Sequence, residues 1–150
     1  MYRILLSVLA SILFLSCNSD KNSDPEVLSG QIEIKNKWMR PANADANSAG
    51  YLSIINGTAK TDTLLSVSSD AFEVAEVHES YETEAGLSGM RPAKNLDIAP
   101  GDSLVLKPGG LHLMLMSARQ PITENDSITV NFNFKKAGER TVRIPVRSSN

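Results

Sequence analysis

The stretch Ile128-Thr129-Val130-Asn131-Phe132-Asn133-Phe134, followed after Gly138 by Thr141-Val142-Arg143-Ile144-Pro145-Val146-Arg147, decides the fold of this 150-residue chain. Each half alternates apolar and polar side chains, the period of an extended strand whose two faces meet different surroundings. With a glycine between them, the two runs read as an antiparallel hairpin with one dry face and one wet face. Pro145 has no N–H to give to a neighbouring strand, which predicts an edge position or a bulge there.

The same pattern continues toward the N-terminus. Leu104 to Leu106 lies between Pro100-Gly101-Asp102 and Pro108-Gly109-Gly110, both turn signals. Leu64 to Val67 and Phe72 to Val77 read as strands separated by Ser68, Ser69 and Asp70. Tyr51, Ser53 and Ile55 alternate with Leu52 and Ile54 and stop at Asn56-Gly57, while Ile32 and Ile34 alternate with Glu33 and Lys35 and lead to Trp38. Nothing keeps a helical repeat for more than about two turns. Roughly eight or nine strands at spacings of about 8–12 residues predict an all-β domain, a Greek-key sandwich or barrel. Trp38 and Tyr51 are expected as core aromatics.

Residues 1–17 read differently. Met-Tyr-Arg is followed by an apolar run from Ile4 to Leu15, broken only by Ser7 and Ser11, and then by Ser16-Cys17. This is the pattern of a signal peptide, with an apolar stretch too short to span a bilayer. Cys17, the only cysteine, stands where the leader ends, and the placement resembles a bacterial lipoprotein leader in which that cysteine becomes the lipidated first residue. Phe14 departs from the resemblance, since a lipobox typically carries a smaller aliphatic residue there. Residues 18–30 are polar and read as a tether, leaving 31–150 as one folded domain, large enough for a core without disulfides. The exported protein is thus expected on a membrane through lipid, facing the periplasm. Without residues 1–16, whose one charge is Arg3, the 15 Lys and Arg fall to 14 against 17 Asp and Glu, which makes nucleic acid an unsuitable partner.

The chemistry-bearing residues are concentrated. Both histidines of the chain, His78 and His112, fall within residues 78–116 together with Met90, Met114 and Met116. In Leu111-His112-Leu113-Met114-Leu115-Met116 the strand period puts the leucines on one face and His112, Met114 and Met116 on the other. Residues i and i+2 are roughly 6.5–7 Å apart along a strand, so His112 and Met114 can converge on one ion. Imidazole with thioether suits Cu(I) far better than Mg or Ca. His78, at the end of the Phe72–Val77 run, and Met90, beyond Glu84-Ala85-Gly86, would reach the same sheet end if their segments formed a hairpin. The spacing alone does not bring the two pairs together. Taken singly, each of these residues also fits a bland reading, a strand-end histidine or a core methionine.

The segments Val77-His78-Glu79, Gly89-Met90-Arg91-Pro92 and Leu106-Lys107-Pro108-Gly109-Gly110-Leu111-His112-Leu113-Met114-Leu115-Met116 resemble the periplasmic copper chaperones of the PCuAC family. Trp38-Met39-Arg40-Pro41, Gly101-Asp102 and Gln120-Pro121 extend the likeness over roughly residues 31–147. The resemblance implies a cupredoxin-like, Ig-like β-sandwich that binds one Cu(I) through His78, Met90, His112 and Met114. It also implies delivery to a cuproprotein, usually the binuclear copper centre of cytochrome c oxidase. Many members carry Met directly after the first histidine, where this chain has Glu79, a carboxylate that could add affinity for Cu(II). Met116 is a possible spare ligand, with packing or exposure as the alternative.

Other functions fit less well. A blue-copper site needs a thiolate, and Cys17 is committed to the leader; nucleophilic catalysis finds no defensible order of base and acid. A copper storage or resistance protein would use the same four ligands, and a lipid-anchored interaction module would need none of them. Arg40, Arg91 and Lys107 are candidates for docking an acidic recipient, although surface charge is ordinarily just solvated.

Overall fold

The computed structural model describes residues 29–148, so the leader, Cys17 and most of the tether lie outside the described residues. Ten strands run in order: β1 (Ile32–Met39), β2 (Ser48–Asn56), β3 (Asp62–Ser68), β4 (Phe72–Glu82), β5 (Ser88–Pro92), β6 (Asp97–Ile98), β7 (Ser103–Leu106), β8 (Leu111–Ala118), β9 (Ser127–Phe134) and β10 (Gly138–Pro145). They form two antiparallel sheets. One has the order β1-β2-β8-β4-β5, with β7 also pairing β2; the other has the order β10-β9-β3-β6.

Alternation explains how the sheets face each other. Leu52 and Ile54 of β2, Val77 of β4, and Leu113 and Leu115 of β8 point inward against Val130, Phe132 and Phe134 of β9 and Ile144 of β10, and Phe72, the first residue of β4, is buried in the same cluster. Burying these side chains, at about 1.5–3 kcal/mol each, is the main stabilisation of the sandwich. The β9–β10 hairpin pairs Gly138 with Phe134 through to Pro145 with Ser127, and β10 is an edge strand, where a proline costs no ladder bond. The sandwich is not a closed barrel. A single parallel bridge between Met39 and Val146 ties one edge of each sheet, while no ladder joins β5 to β6.

Three expectations are corrected by the pairing. β4 does not end before His78 but runs on to Glu82, because β5 supplies partners for its polar half, from His78↔Pro92 to Glu82↔Ser88. The hairpin that would bring Met90 beside the His78 strand forms, with β5 as its second strand, and a further short strand, β6, stands where the sequence shows no apolar run. Tyr51 is buried as expected, but neither it nor Trp38 packs between the sheets. The register of β1 on β2 shifts between Lys35 and Trp38, where Asn36 takes a φ of 55°. One extra residue reverses the faces of the positions after it, so Met39 enters the core and Trp38 turns outward to meet Tyr51 with ring centroids 4.6 Å apart.

A buried carboxylate fastens the far end. Asp62, at the start of β3, accepts backbone N–H bonds from Thr63 (2.8 Å), Lys136 (2.9 Å) and Ala137 (2.8 Å), holding the β9–β10 turn. Burial pushes its pKa up, but the three N–H donors outweigh that and hold it below the ordinary aspartate value.

Candidate metal centre

The site lies on the outer face of the larger sheet, and the register places it there. Directly opposed residues of neighbouring strands share a face. His112 of β8 faces His78 of β4, and Met114 faces Glu76 of β4 on one side and Ala49 of β2 on the other. Ser80 of β4 faces Met90 of β5. The β4–β5 hairpin and the β4–β8 pairing together bring Met90, His78, His112 and Met114 to one end of one face. Leu113 and Leu115, one step along β8, are fully buried on the other.

Local sequence shapes each part. The turn before β8 closes through Gly110 N–H to the Lys107 carbonyl (3.1 Å) and Lys107 N–H to the Leu111 carbonyl (2.7 Å), with Gly109 at a φ of 77° that side-chain-bearing residues rarely adopt. This folds the Gly110 carbonyl back over the His112 ring. On the hairpin, a Cβ at Gly89 would stand 2.6 Å from the Tyr81 ring, so only glycine lets that ring lie across β5, on the face opposite Met90. The Arg91 guanidinium sits 5.0 Å from the same ring centre.

Met90, His112 and Met114 line an open pocket of about 350 Å³, together with Arg40, Tyr51, Ser80 and the Pro108-Gly109 turn. Met90 stands at its lip, 60% exposed. His112 is only 5% exposed although it faces outward. Its Nδ1 lies 3.1 Å from the Gly110 carbonyl, to which it donates, whereas its Nε2 is buried with no hydrogen-bond partner. A buried polar nitrogen without a partner costs about 1–3 kcal/mol, and here it leaves an uncommitted lone pair on a residue that lines one pocket with Met90 and Met114.

His78 is not part of the pocket lining. Its ring meets that of His112 edge-on with centroids 6.1 Å apart, and its Nε2 lies 2.9 Å from Glu76 Oε2. Glu76 is the residue that the sequence reading missed. The signal was available, since a residue two before His78 on a strand shares its face. Glu79 lies on the opposite face, paired with Arg91 at 2.6 Å, which raises the Arg91 pKa, so the carboxylate expected near the site is Glu76 instead. Met116 opposes Val74, one step beyond Met114, and does not reach the pocket lining. Tyr51 is buried against the pocket, tilted 43° to the Trp38 ring and with the Arg40 guanidinium 5.7 Å from its ring centre.

Among the described residues, no group of three or more His, Cys, Asp or Glu side chains is arranged to hold a metal. An ion held here would need the methionine sulfurs, which excludes a hard cation as the natural occupant.

The profile of the LpqE-like family, described as "Putative lipoprotein LpqE-like", matches residues 32–146. The chain belongs to the LpqE-like family. This LpqE-like chain is 27% identical over 117 residues to "Putative lipoprotein Lxx21020" of Leifsonia xyli subsp. xyli, covering 77% of the chain and 69% of that relative. Among solved structures it is similar to the "Copper-bound PCuAC domain from PmoF2", with a TM-score of 0.64 at 24% identity, covering 80% of this chain and 95% of that one. It is also similar to the solution structure of "CuI-DR1885" from Deinococcus radiodurans, with a TM-score of 0.55 at 18% identity and 85% coverage of both chains. The LpqE-like chain therefore has the cupredoxin-like, Ig-like β-sandwich of PCuAC domains.

Proposed function

We propose that this LpqE-like protein is a non-enzymatic Cu(I) carrier. It holds one ion through His78, Met90, His112 and Met114 and hands it to a cuproprotein outside the cytoplasm, with the cytochrome c oxidase copper centre as recipient. The observation that carries the reading is the partnerless, buried Nε2 of His112, on a residue that lines one pocket with Met114 and Met90. The histidine separation supports it. With metal–nitrogen bonds of about 2 Å, two imidazoles sharing an ion in a four-ligand site have centroids about 5 Å apart, so the observed 6.1 Å needs a closure of only about 1 Å. The fold shared with a copper-bound PCuAC domain and with CuI-DR1885 points the same way.

The ligand set suits transport. Neutral imidazole and thioether bind Cu(I) without a thiolate that would oxidise outside the cytoplasm, and a recipient bearing cysteines offers a better set. Copper storage would use the same residues, but the exposure of Met90 at the lip favours transfer, because a ligand that reaches solvent can be exchanged stepwise. The family description and the leader pattern support lipidation at Cys17 and anchoring at a bacterial membrane, facing the periplasm.

The test is a Cu(I) titration of the full chain in detergent against a chromophoric chelator, with His78→Ala and His112→Ala alongside. A one-to-one complex lost in both variants is expected. No binding above the chelator background, or binding unchanged in both variants, would refute the site. Loss of the ion to an added oxidase copper-binding domain separates delivery from storage.

A further inference from the structure

The two histidines are tied at different nitrogens. His112 donates from Nδ1 to the Gly110 carbonyl, which leaves the lone pair on Nε2. His78 has its Nε2 2.9 Å from Glu76 Oε2. An ionised carboxylate accepts but cannot donate, so His78 Nε2 carries the hydrogen and the lone pair belongs to Nδ1. Glu76 is suited to this role by position. It lies two residues before His78 on β4, shares the site face and opposes Met114, and His78 is its one side-chain partner among the described residues. Glu79, the other nearby acid, is held on the opposite face by Arg91 and cannot replace it.

We infer that Glu76 is a positioning residue of the metal site, fixing His78 in the tautomer that ligates through Nδ1, so that the two imidazoles bind the ion through unlike nitrogens: Nδ1 of His78 and Nε2 of His112. The inference rests on the copper-carrier reading and adds the atoms. A carboxylate behind a ligating imidazole orients the ring and raises its basicity, and removing such a partner typically weakens metal binding by about 10–100-fold. Because Glu76 acts through His78, it tunes how firmly one ligand holds without touching the ion.

The experiment is long-range ¹H–¹⁵N correlation NMR of the imidazoles in the full chain in detergent at mildly alkaline pH, without and with one equivalent of Cu(I). Without copper, His78 is expected to show a protonated Nε2 and an unprotonated Nδ1, and His112 the reverse. On adding Cu(I), the resonances of His78 Nδ1 and His112 Nε2 shift. Glu76→Ala mixes the tautomers of His78 alone and weakens Cu(I) binding by about 10–100-fold. Glu76→Gln, which still offers a carbonyl acceptor, keeps the tautomer and loses less than about tenfold. A copper-induced shift at His78 Nε2, or equal or tighter binding by Glu76→Ala, overturns the inference while the carrier reading stands. Absence of any Cu(I) complex in the unsubstituted protein overturns the carrier reading and takes the ligating role of Nδ1 with it.

Discussion

Replacing His112 by phenylalanine should make the copper-free protein slightly more stable while removing its capacity to hold copper. The free-energy terms come from the contacts of one ring. The buried Nε2 has no partner, and eliminating it recovers about 1–3 kcal/mol. The Nδ1 bond to Gly110 is lost, at about 0.5–1.5 kcal/mol. That carbonyl is not orphaned, since it also accepts from the Ser80 N–H at 3.3 Å. The larger ring has the open pocket to expand into, so overpacking is small, and the net is a gain of about 1 kcal/mol. Urea unfolding of the copper-free protein followed by tryptophan fluorescence measures it, Trp38 being the only reporter of its kind. Added Cu(I) should stabilise the unsubstituted protein by mass action and leave His112→Phe unmoved. A loss of more than about 1 kcal/mol in copper-free His112→Phe would refute the reasoning, because it would mean that Nε2 is already satisfied.

Asp62→Ala strips acceptors from three backbone N–H groups and should cost about 3 kcal/mol at neutral pH, read from the urea midpoint. Because the folded pKa of Asp62 is lowered, its contribution is fully present above the unfolded value near 3.8 and is lost as pH falls through the folded pKa; the difference between the two proteins should shrink accordingly below about pH 4. Gly89→Ala drives a Cβ into the Tyr81 ring and should destabilise the hairpin by about 1–3 kcal/mol, weakening Cu(I) binding through Met90, which chelator competition would register. Glu79→Ala and Met116→Leu should each leave Cu(I) affinity within about twofold, since one faces away and the other lies outside the pocket.

Much of this architecture is written in the sequence wherever burial is one-sided. Along β9 every second residue is buried, and Leu113 and Leu115 of β8 and Val142 and Ile144 of β10 repeat the pattern, so alternation reveals both strand and face. It is silent where pairing rather than burial creates the strand. Ser88-Gly89-Met90-Arg91-Pro92 has a single apolar side chain and becomes β5 only because the second half of β4 needs a partner. The outward turn of Trp38 depends on one extra residue near Asn36, and no composition signal specifies which of two faces a strand presents beyond a bulge. The convergence of Met90, His78 and His112 is likewise a product of strand order, which spacing along the chain does not encode. Glu76 was legible, being on the face of His78 by simple counting; Glu79 is the more conspicuous acid because it is adjacent in sequence, yet it is opposite in space.

The interleaving along β8 limits how this protein can change. Core leucines and site residues occupy alternate positions of one strand, so inserting or deleting a single residue between Gly110 and Leu115 would exchange the two sets wholesale. The sandwich would then have to bury histidine and methionine while leucines faced the pocket, and folding and metal handling would fail together. Point substitution remains open to either set; slippage is closed to both. The turn Thr83–Leu87 has no such restriction, as it is exposed and lies beyond the paired residues. Variation in length should therefore collect at that turn and spare β8, leaving the segment that carries Met90 free to vary while the histidine-bearing strands keep their spacing.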